Sequence, residues 1–341
     1  MGRLERAMTI GAGVGVGALL ARTWMRAGRR YELRDRTVLI TGSSRGLGLA
    51  LAREFARRGA KLALCARDAD ELNAAREELA ASGAEAFASP CDITDPEQVK
   101  EFLAKVADRF GEVDVLVNNA GVLEVGPLEA MTPQDFEEAM RTHFYGPLNL
   151  TLSLVPAMRR RRDGRVVNIS SIGGLIAVPH LLPYAASKFA LTGFSEGLRT
   201  ELAADNVWVT TVCPGLMRTG SPRHAWFKGH PLKEYRWFLF GATLPVLTVD
   251  PARAAKKIVD ACVQGRALLV VGAHFKAAAK LHALFPELTS GLLAVVDELL
   301  PRAFDGTREK VEGTDLEPPR GGGIVDRLNR FAARRFNEYA R

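Results

Sequence analysis

The sequence predicts a three-layer α/β/α fold, in which a doubly wound parallel sheet is covered by helices on both faces. Three observations predict it. From Thr37 onward, short apolar runs alternate with longer amphipathic stretches, the pattern of buried strands joined by helical crossovers. A glycine-rich turn follows the first run directly. The 341 residues are 47% apolar and 25% charged, a balance that supports a sizeable core and excludes disorder over most of the chain.

The elements follow in order. Thr37–Thr41 (TVLIT) reads as a buried strand, and 49–58 as the helix after it. A second strand covers 61–66, a charged helix 69–82 and a third strand 86–91. Pro96–Phe110 is a helix opened by Asp95, a residue type whose side chain caps free amides of the first turn. Residues 113–117, 166–169 and 207–212 supply the fourth to sixth strands. After Gly241 come a helix over Pro251–Val263, a strand over 267–271 and two helical patterns up to Leu300. The polar, Gly- and Pro-rich stretch 305–323 reads as a linker. Residues 324–341 read as an amphipathic helix, with Val325, Leu328, Ala332, Phe336 and Tyr339 on one face. Packing on the body is its default, ahead of a partner chain or a membrane surface.

The first 33 residues stand apart. Residues 7–21 (AMTIGAGVGVGALLA) carry no charge, with Arg3 and Arg6 before them and Arg22, Arg26, Arg29 and Arg30 after. As a helix the run spans about 22 Å, short of a hydrocarbon core of about 30 Å. Thr23, Trp24 and Met25, with Arg22 snorkelling, extend it. Flanking arginines and an interfacial Trp favour a single membrane anchor. A helix docked on the protein surface competes, and a cleaved signal peptide is disfavoured by the lack of a small-residue cleavage site. Gly11, Gly13, Gly15 and Gly17 follow no strand, so they do not form a phosphate loop.

The net charge of +7 fits a solvated basic surface first, then an anionic cofactor, an anionic membrane face or nucleic acid. Arg159–Arg162 ends a helix, where cations suit the dipole. No RNA-binding pattern accompanies it, so nucleic acid is not an expected partner. Cys65, Cys91, Cys213 and Cys262 form no CxxC pair and lie far from zinc-ligand spacing. They read as reduced thiols of a cytoplasmic protein without a metal site.

Three groups of residues carry chemistry. Gly42, Ser44, Arg45, Gly46, Leu47 and Gly48 lie between a buried strand and a helix. A dinucleotide pyrophosphate needs that order, because glycines let the backbone approach and the helix N-terminus offers free N–H groups. Arg67 ends the second strand. There an arginine favours the 2′-phosphate of NADP(H), and Arg45 is within reach of the same group, while Asp68 keeps NAD(H) in play as the second choice. Tyr184 and Lys188 lie four apart on a helical run, 184–199, and so share a face. A nearby ammonium lowers a phenol's pKa toward the range of acid–base catalysis. Ser171 stands thirteen residues earlier, just past the fifth strand, where a hydroxyl can hold a carbonyl oxygen.

With Asp92, Asn118-Asn119-Ala120-Gly121 and Pro214-Gly215 in the same order, these motifs resemble the short-chain dehydrogenase/reductase family, in its YxxxK branch. The resemblance covers residues 36–265 and implies a Rossmann-like sheet. It implies that Tyr184 exchanges a proton with the substrate oxygen, Lys188 holds the nicotinamide ribose and tunes Tyr184, and Ser171 orients the substrate. Asp92 would lie near the adenine, Asn118, Ala120 and Gly121 near the cofactor ribose, and Thr219 near the carboxamide beyond Pro214 and Gly215. Where the family carries an Asn that supports a proton relay, this chain has His143. An imidazole can also accept and donate, so a relay and a purely structural histidine stay open.

The resemblance places the substrate lid after Thr219, where Trp226, Phe227, Tyr235, Trp237, Phe238 and Phe240 cluster with His224 and His230. Such a lid suits a bulky apolar carbonyl or alcohol, lipid- or steroid-like. Packing against the C-terminal extension, or a place at a membrane interface, is the competing use of these rings. The expected organisation is an N-terminal segment (1–33), a catalytic domain (34–265), a helical extension supporting the lid (266–304), a linker (305–323) and a terminal helix (324–341). A homo-oligomer, dimer or tetramer, is the family expectation. A membrane surface is a further candidate partner, with the N-terminal segment anchoring the protein to its cytoplasmic face. The rival functions are a non-catalytic nucleotide sensor and a membrane-associated scaffold, both on the same fold.

Overall fold

The computed structural model describes residues 31–244, 248–301, 306–317 and 324–339, with 324–327 as backbone only. The apolar run 7–21 and the readings placed on it lie outside the described residues. In chain order the first strands and helices are β1 (Thr37–Thr41), α1 (Gly46–Arg57), β2 (Lys61–Cys65), α2 (Ala69–Ala81), β3 (Ala86–Ala88), α3 (Pro96–Phe110), β4 (Val115–Asn118), β5 (Glu124–Val125), α4 (Pro133–Met140), α5 (Gly146–Arg161), β6 (Gly164–Ile169) and α6 (Leu182–Leu202). They are followed by β7 (Val207–Pro214), β8 (Trp226–Gly229), α7 (Pro231–Thr243), α8 (Pro251–Val263), β9 (Leu268–Val271), α9 (Ala273–Leu284), α10 (Pro286–Glu298), β10 (Thr307–Glu312) and α11 (Ile324–Arg335).

Seven strands form one sheet in the order β3-β2-β1-β4-β6-β7-β9, with every neighbour parallel. Parallel strands are buried on both faces, so successive side chains enter opposite cores. Val38 and Ile40 pack with α1 and α8, whereas Leu39 packs with α3 and α5. The connections diverge between β1 and β4, the topological switch point at which α/β sheets open a crevice past their strand ends.

Asp95 caps α3 as the sequence predicts, its carboxylate accepting from the Glu97 and Gln98 amides. A run of arginines closes α5. Arg159 pairs with Asp205 at 2.6 Å and Arg161 with Glu112 at 3.0 Å. The four cysteines are free and buried. Among the described residues no helix is long and apolar enough to cross a membrane.

The stretch read as a linker holds a strand. β10 pairs antiparallel with β8, which pairs with β5, in a separate three-stranded sheet. The misreading has a physical cause. The strand's sequence, TREKVE, is that of a charged edge, and its stability comes from a tertiary partner. Under this sheet the buried Lys228 ammonium meets Asp135 at 2.6 Å, and Lys310 bridges Glu124, Asp135 and Glu138. The terminal helix spans Ile324–Arg335, and residues 336–339, which the sequence reading also made helical, leave it. The segment packs on the body through Ala332, Ala333 and Phe336, all buried.

Candidate active site

A cavity of about 780 Å³ lies at the carboxyl ends of the strands and runs from the glycine-rich loop to Tyr184. The loop's shape follows from its glycines. Gly42 and Gly46 have φ of 60° and 58°, a region that side-chain-bearing residues rarely adopt. Gly48 lets α1 start against the loop, since a Cβ there would lie 1.9 Å from the Gly42 carbonyl oxygen. Thr41 Oγ1 accepts the amides of Asn119 and Ala120, and Asn119 Nδ2 donates to the Thr41 and Gly42 carbonyls. These bonds tie the ends of β1 and β4 together at the switch point.

Gly42, Ser44, Arg45, Gly46, Leu47, Gly48, Arg67, Asp92, Ala120, Gly121, Pro214, Gly215 and Thr219 all line the cavity. Asn118 does not. Its side chain turns into the sheet, where Nδ2 donates to Asn168 Oδ1 at 2.8 Å. Period-2 alternation along β4 explains this, because Asn118 is the strand's last residue and Asn119 is the one that reaches the loop. Asp68 is spent as the N-cap of α2, accepting the Glu71 amide at 2.8 Å. Arg67 forms no ion pair among the described residues. Arg45 pairs with Glu71 at 2.7 Å, and the same carboxylate accepts from Ser44 Oγ. Nothing in the sequence pattern singled out Glu71. Its place in the first turn of α2 was the available signal.

At the far end, Ser171, Tyr184, Lys188 and His143 face the same space. Ser171 Oγ accepts the Gly173 amide at 3.0 Å, which fixes its rotamer near the Tyr184 phenol. Lys188 Nζ donates to the Ile169 carbonyl at 2.9 Å and lies 5.7 Å from the centre of the Tyr184 ring. Burial pushes the ammonium down to about 7. Burial also raises the Tyr184 phenol, against the opposing effect of the nearby Ser171 hydroxyl.

His143 sits in a π-helical turn over Arg141–Tyr145 that joins α4 to α5, a widened turn often found at functional sites. Its Nε2 accepts the Val122 amide at 3.1 Å, and its Nδ1 lies 2.7 Å from Ser187 Oγ. Burial, then the charge of Lys188, holds the imidazole well below its usual pKa.

Of the lid aromatics, Trp226, Trp237 and Phe238 line the cavity, as does His224. Phe227 and Tyr235 are core instead, 0% and 2% exposed, because β8 and α7 each bury one face against the other. Phe240 points to solvent. Phe275 of α9 was missed by the sequence reading. It lines the cavity and covers Gly215 so closely that a Cβ there would fall 1.8 Å from its ring. Glu338 also reaches the cavity.

The sequence pattern described as short chain dehydrogenase matches residues 36–226. The chain belongs to the short-chain dehydrogenase family. Among its relatives, the Dehydrogenase/reductase SDR family member 7B of Bos taurus is 41% identical over 202 residues, which are 58% of this chain and 62% of that protein. The protein of the same name from Danio rerio is 34% identical over 304 residues, or 85% of this chain and 96% of the relative. A solved actinorhodin polyketide ketoreductase with NADPH superposes with a TM-score of 0.63 at 30% identity, covering 70% of this chain and 97% of the other.

Proposed function

We propose that this short-chain dehydrogenase is an NADP(H)-dependent oxidoreductase that interconverts a carbonyl and an alcohol on a bulky apolar substrate. The observation that carries the reading is one cavity with the glycine loop at one end and Ser171, Tyr184 and Lys188 at the other.

The residues present fit a dinucleotide. The loop has left-handed glycines and a helix N-terminus, which is what phosphates require. Gly121 packs against His143, whose Nε2 would stand 2.9 Å from a Cβ placed there, and Lys188 Nζ lies 3.8 Å from the same point. Gly42, Gly46, Leu47, Gly48 and Thr219 would hold the phosphates and carboxamide, Asp92, Ala120 and Gly121 the adenine and ribose, and Lys188 the nicotinamide ribose. When bound, the nicotinamide supplies or accepts a hydride. Asn118 is left out of this set, since its amide is committed to Asn168.

Ser171 holds the substrate oxygen, and Tyr184 gives that oxygen a proton in reduction or takes one in oxidation. Burial keeps the phenol protonated at neutral pH, ready for the reductive direction. The Lys188 charge is poised near neutrality and favours the phenolate left after transfer. NADP(H) is preferred over NAD(H) because Arg67, without an ion pair among the described residues, and the neighbouring Arg45 and Ser44 suit a 2′-phosphate, and the ketoreductase neighbour is named with NADPH. The apolar substrate follows from the walls, to which Val178, Leu181, Leu216, Trp226, Trp237 and Phe238 contribute.

The test is a thermal shift with NADPH and with NADH, followed by turnover on medium-chain and polycyclic ketones. A larger shift with NADPH and turnover of the bulky ketones are expected. Tyr184→Phe is expected to retain the shift and lose about 10²- to 10⁴-fold in rate. No shift with either nucleotide overturns the oxidoreductase reading, and turnover confined to small polar sugars overturns the substrate class.

A further inference from the structure

The C-terminal segment lies across the mouth of the glycine loop. After α11 ends at Arg335, the chain crosses the first turn of α1. The Phe336 carbonyl accepts the Gly46 amide at 2.9 Å. Asn337 Nδ2 donates to the Ser44 carbonyl at 3.0 Å. Asn337 has a φ of 56°, a conformation that Asn tolerates better than most side chains. The Glu338 carboxyl is 3% exposed. It reaches within 3.6 Å of Arg45 Nε and 3.4 Å of His224 Nε2. Its Oε1 stands 2.9 Å from the point a Cβ on Gly46 would occupy. The carboxyl therefore fills the space left open by the missing side chain of Gly46.

The contact is anchored on both sides. Phe336 is 2% exposed and belongs to the core that α1 shares with the sheet. Arg223 Nε donates to the Glu338 carbonyl at 3.1 Å, and its guanidinium covers the Tyr339 ring at 3.7 Å. Arg53 Nη1 donates to the Arg335 carbonyl at 3.1 Å, and Arg335 pairs with Asp250.

The groups held by this segment are those a dinucleotide would use. The Gly46 amide is a free donor at a helix N-terminus, and anions bind at such donors. It points at the Phe336 carbonyl. Arg45 faces Glu71 and Glu338. An amide hydrogen engaged by one strong acceptor is poorly available to a second, and a buried carboxyl and a phosphate oxygen cannot share one volume.

We propose that residues 336–338 and the cofactor phosphates compete for one cradle at the N-terminus of α1, so that the segment must leave Gly46 before the dinucleotide seats. The proposal rests on the dinucleotide reading above. It makes the C-terminal segment a gate on the cofactor, with apparent affinity reduced by the fraction of molecules in which the segment is docked.

Two variants of the full chain test it. Glu338→Arg sets a cation against Arg45 and Arg223 and expels the segment. Asn337→Ala keeps the charge unchanged but removes the bond to Ser44 and the residue's tolerance for a positive φ. NADPH affinity is measured by fluorescence titration, and amide exchange of residues 328–339 is followed with and without NADPH. Both variants are expected to bind NADPH about tenfold more tightly, the factor for a segment docked in about nine molecules of ten. NADPH is expected to speed exchange of the segment in the unmodified protein. Equal or weaker binding by both variants, or a segment that NADPH protects, overturns the gate and leaves the dinucleotide reading intact. A gain with Glu338→Arg alone marks simple charge attraction and also overturns it. No NADPH binding by any of the three proteins overturns the dinucleotide reading and the gate with it.

Discussion

His143 shows how a single residue's bonds decide between two roles. Its Nε2 accepts a backbone amide, so that nitrogen carries a lone pair and the ring proton sits on Nδ1, facing Ser187 Oγ. The Ser187 hydroxyl in turn donates to the Tyr184 carbonyl at 2.9 Å. The imidazole thus ties the Val122 loop, which borders the cavity, to the helix that carries Tyr184 and Lys188. Protonating Nε2 would break the Val122 bond, and burial already opposes the charged form. His143 is therefore neutral through the working pH range and acts as a positioning residue. His143→Asn is expected to lower kcat/KM by about ten- to a hundredfold through misplacement of the Tyr184 helix, with both limbs of the pH profile unmoved. A limb that vanishes in the variant would assign His143 to the proton relay. The same rate loss with an unmoved profile in Ser187→Ala would tie the effect to the shared bond.

At the scale of an element, two glycines in helical surroundings separate shape from mere flexibility. Gly48 opens α1 against the Gly42 carbonyl, and no rotamer relieves a Cβ 1.9 Å from a backbone oxygen. Gly48→Ala is expected to cost about 1–3 kcal/mol by overpacking and to abolish NADPH binding, because the loop must shift. Gly193, exposed within α6, has no atom within 4 Å of an added Cβ. Gly193→Ala is expected to stabilise by about 0.5–1 kcal/mol through helix propensity. Thermal unfolding of both variants checks the pair. The same contrast explains what the sequence revealed. Strands buried on both faces read as continuous apolar runs, so the parallel sheet was legible. Ser171, Tyr184 and Lys188 were legible because the helical period puts the last two on one face and the end of β6 supplies the first. β10 was not, since a charged strand is specified by its partner β8. Phe227 and Tyr235 looked like lid residues because composition alone cannot say which side of an aromatic cluster faces a cavity. Glu71 and Glu338 reach Arg45 from 26 and 293 positions away (Glu71 minus Arg45; Glu338 minus Arg45), contacts that no local pattern encodes.

Across the whole molecule, that longest contact couples the two ends of the described chain to pH. Glu338 is pushed up to about 8 by burial, with Glu71 raising it further and Arg45 and Arg223 pulling it down. His224 also faces the carboxyl, and burial holds that imidazole below its usual value. A carboxyl whose docked pKa is raised favours docking most below its free value of about 4.3. The contribution fades as pH rises and is lost through about 8. The gate is thus held more firmly in mild acid than in mild alkali. Glu338→Gln fixes the neutral form and removes this dependence while keeping the side chain's size. NADPH titrations from pH 6 to 9 on both proteins cancel every other titrating group in their ratio, the nucleotide's own phosphate included. At every pH well above the free value of about 4.3, the unmodified protein is expected to bind NADPH more tightly than Glu338→Gln, because its released carboxylate ionises and the docked one must stay protonated. The ratio is expected to widen from pH 6 to about 8, by at most about tenfold per unit, and to level off above the docked value of about 8, where both states are ionised. A ratio that stays flat across the range would detach Glu338 ionisation from cofactor access, and one that runs the other way would mean that the charged carboxylate, paired with Arg45, is what holds the segment down.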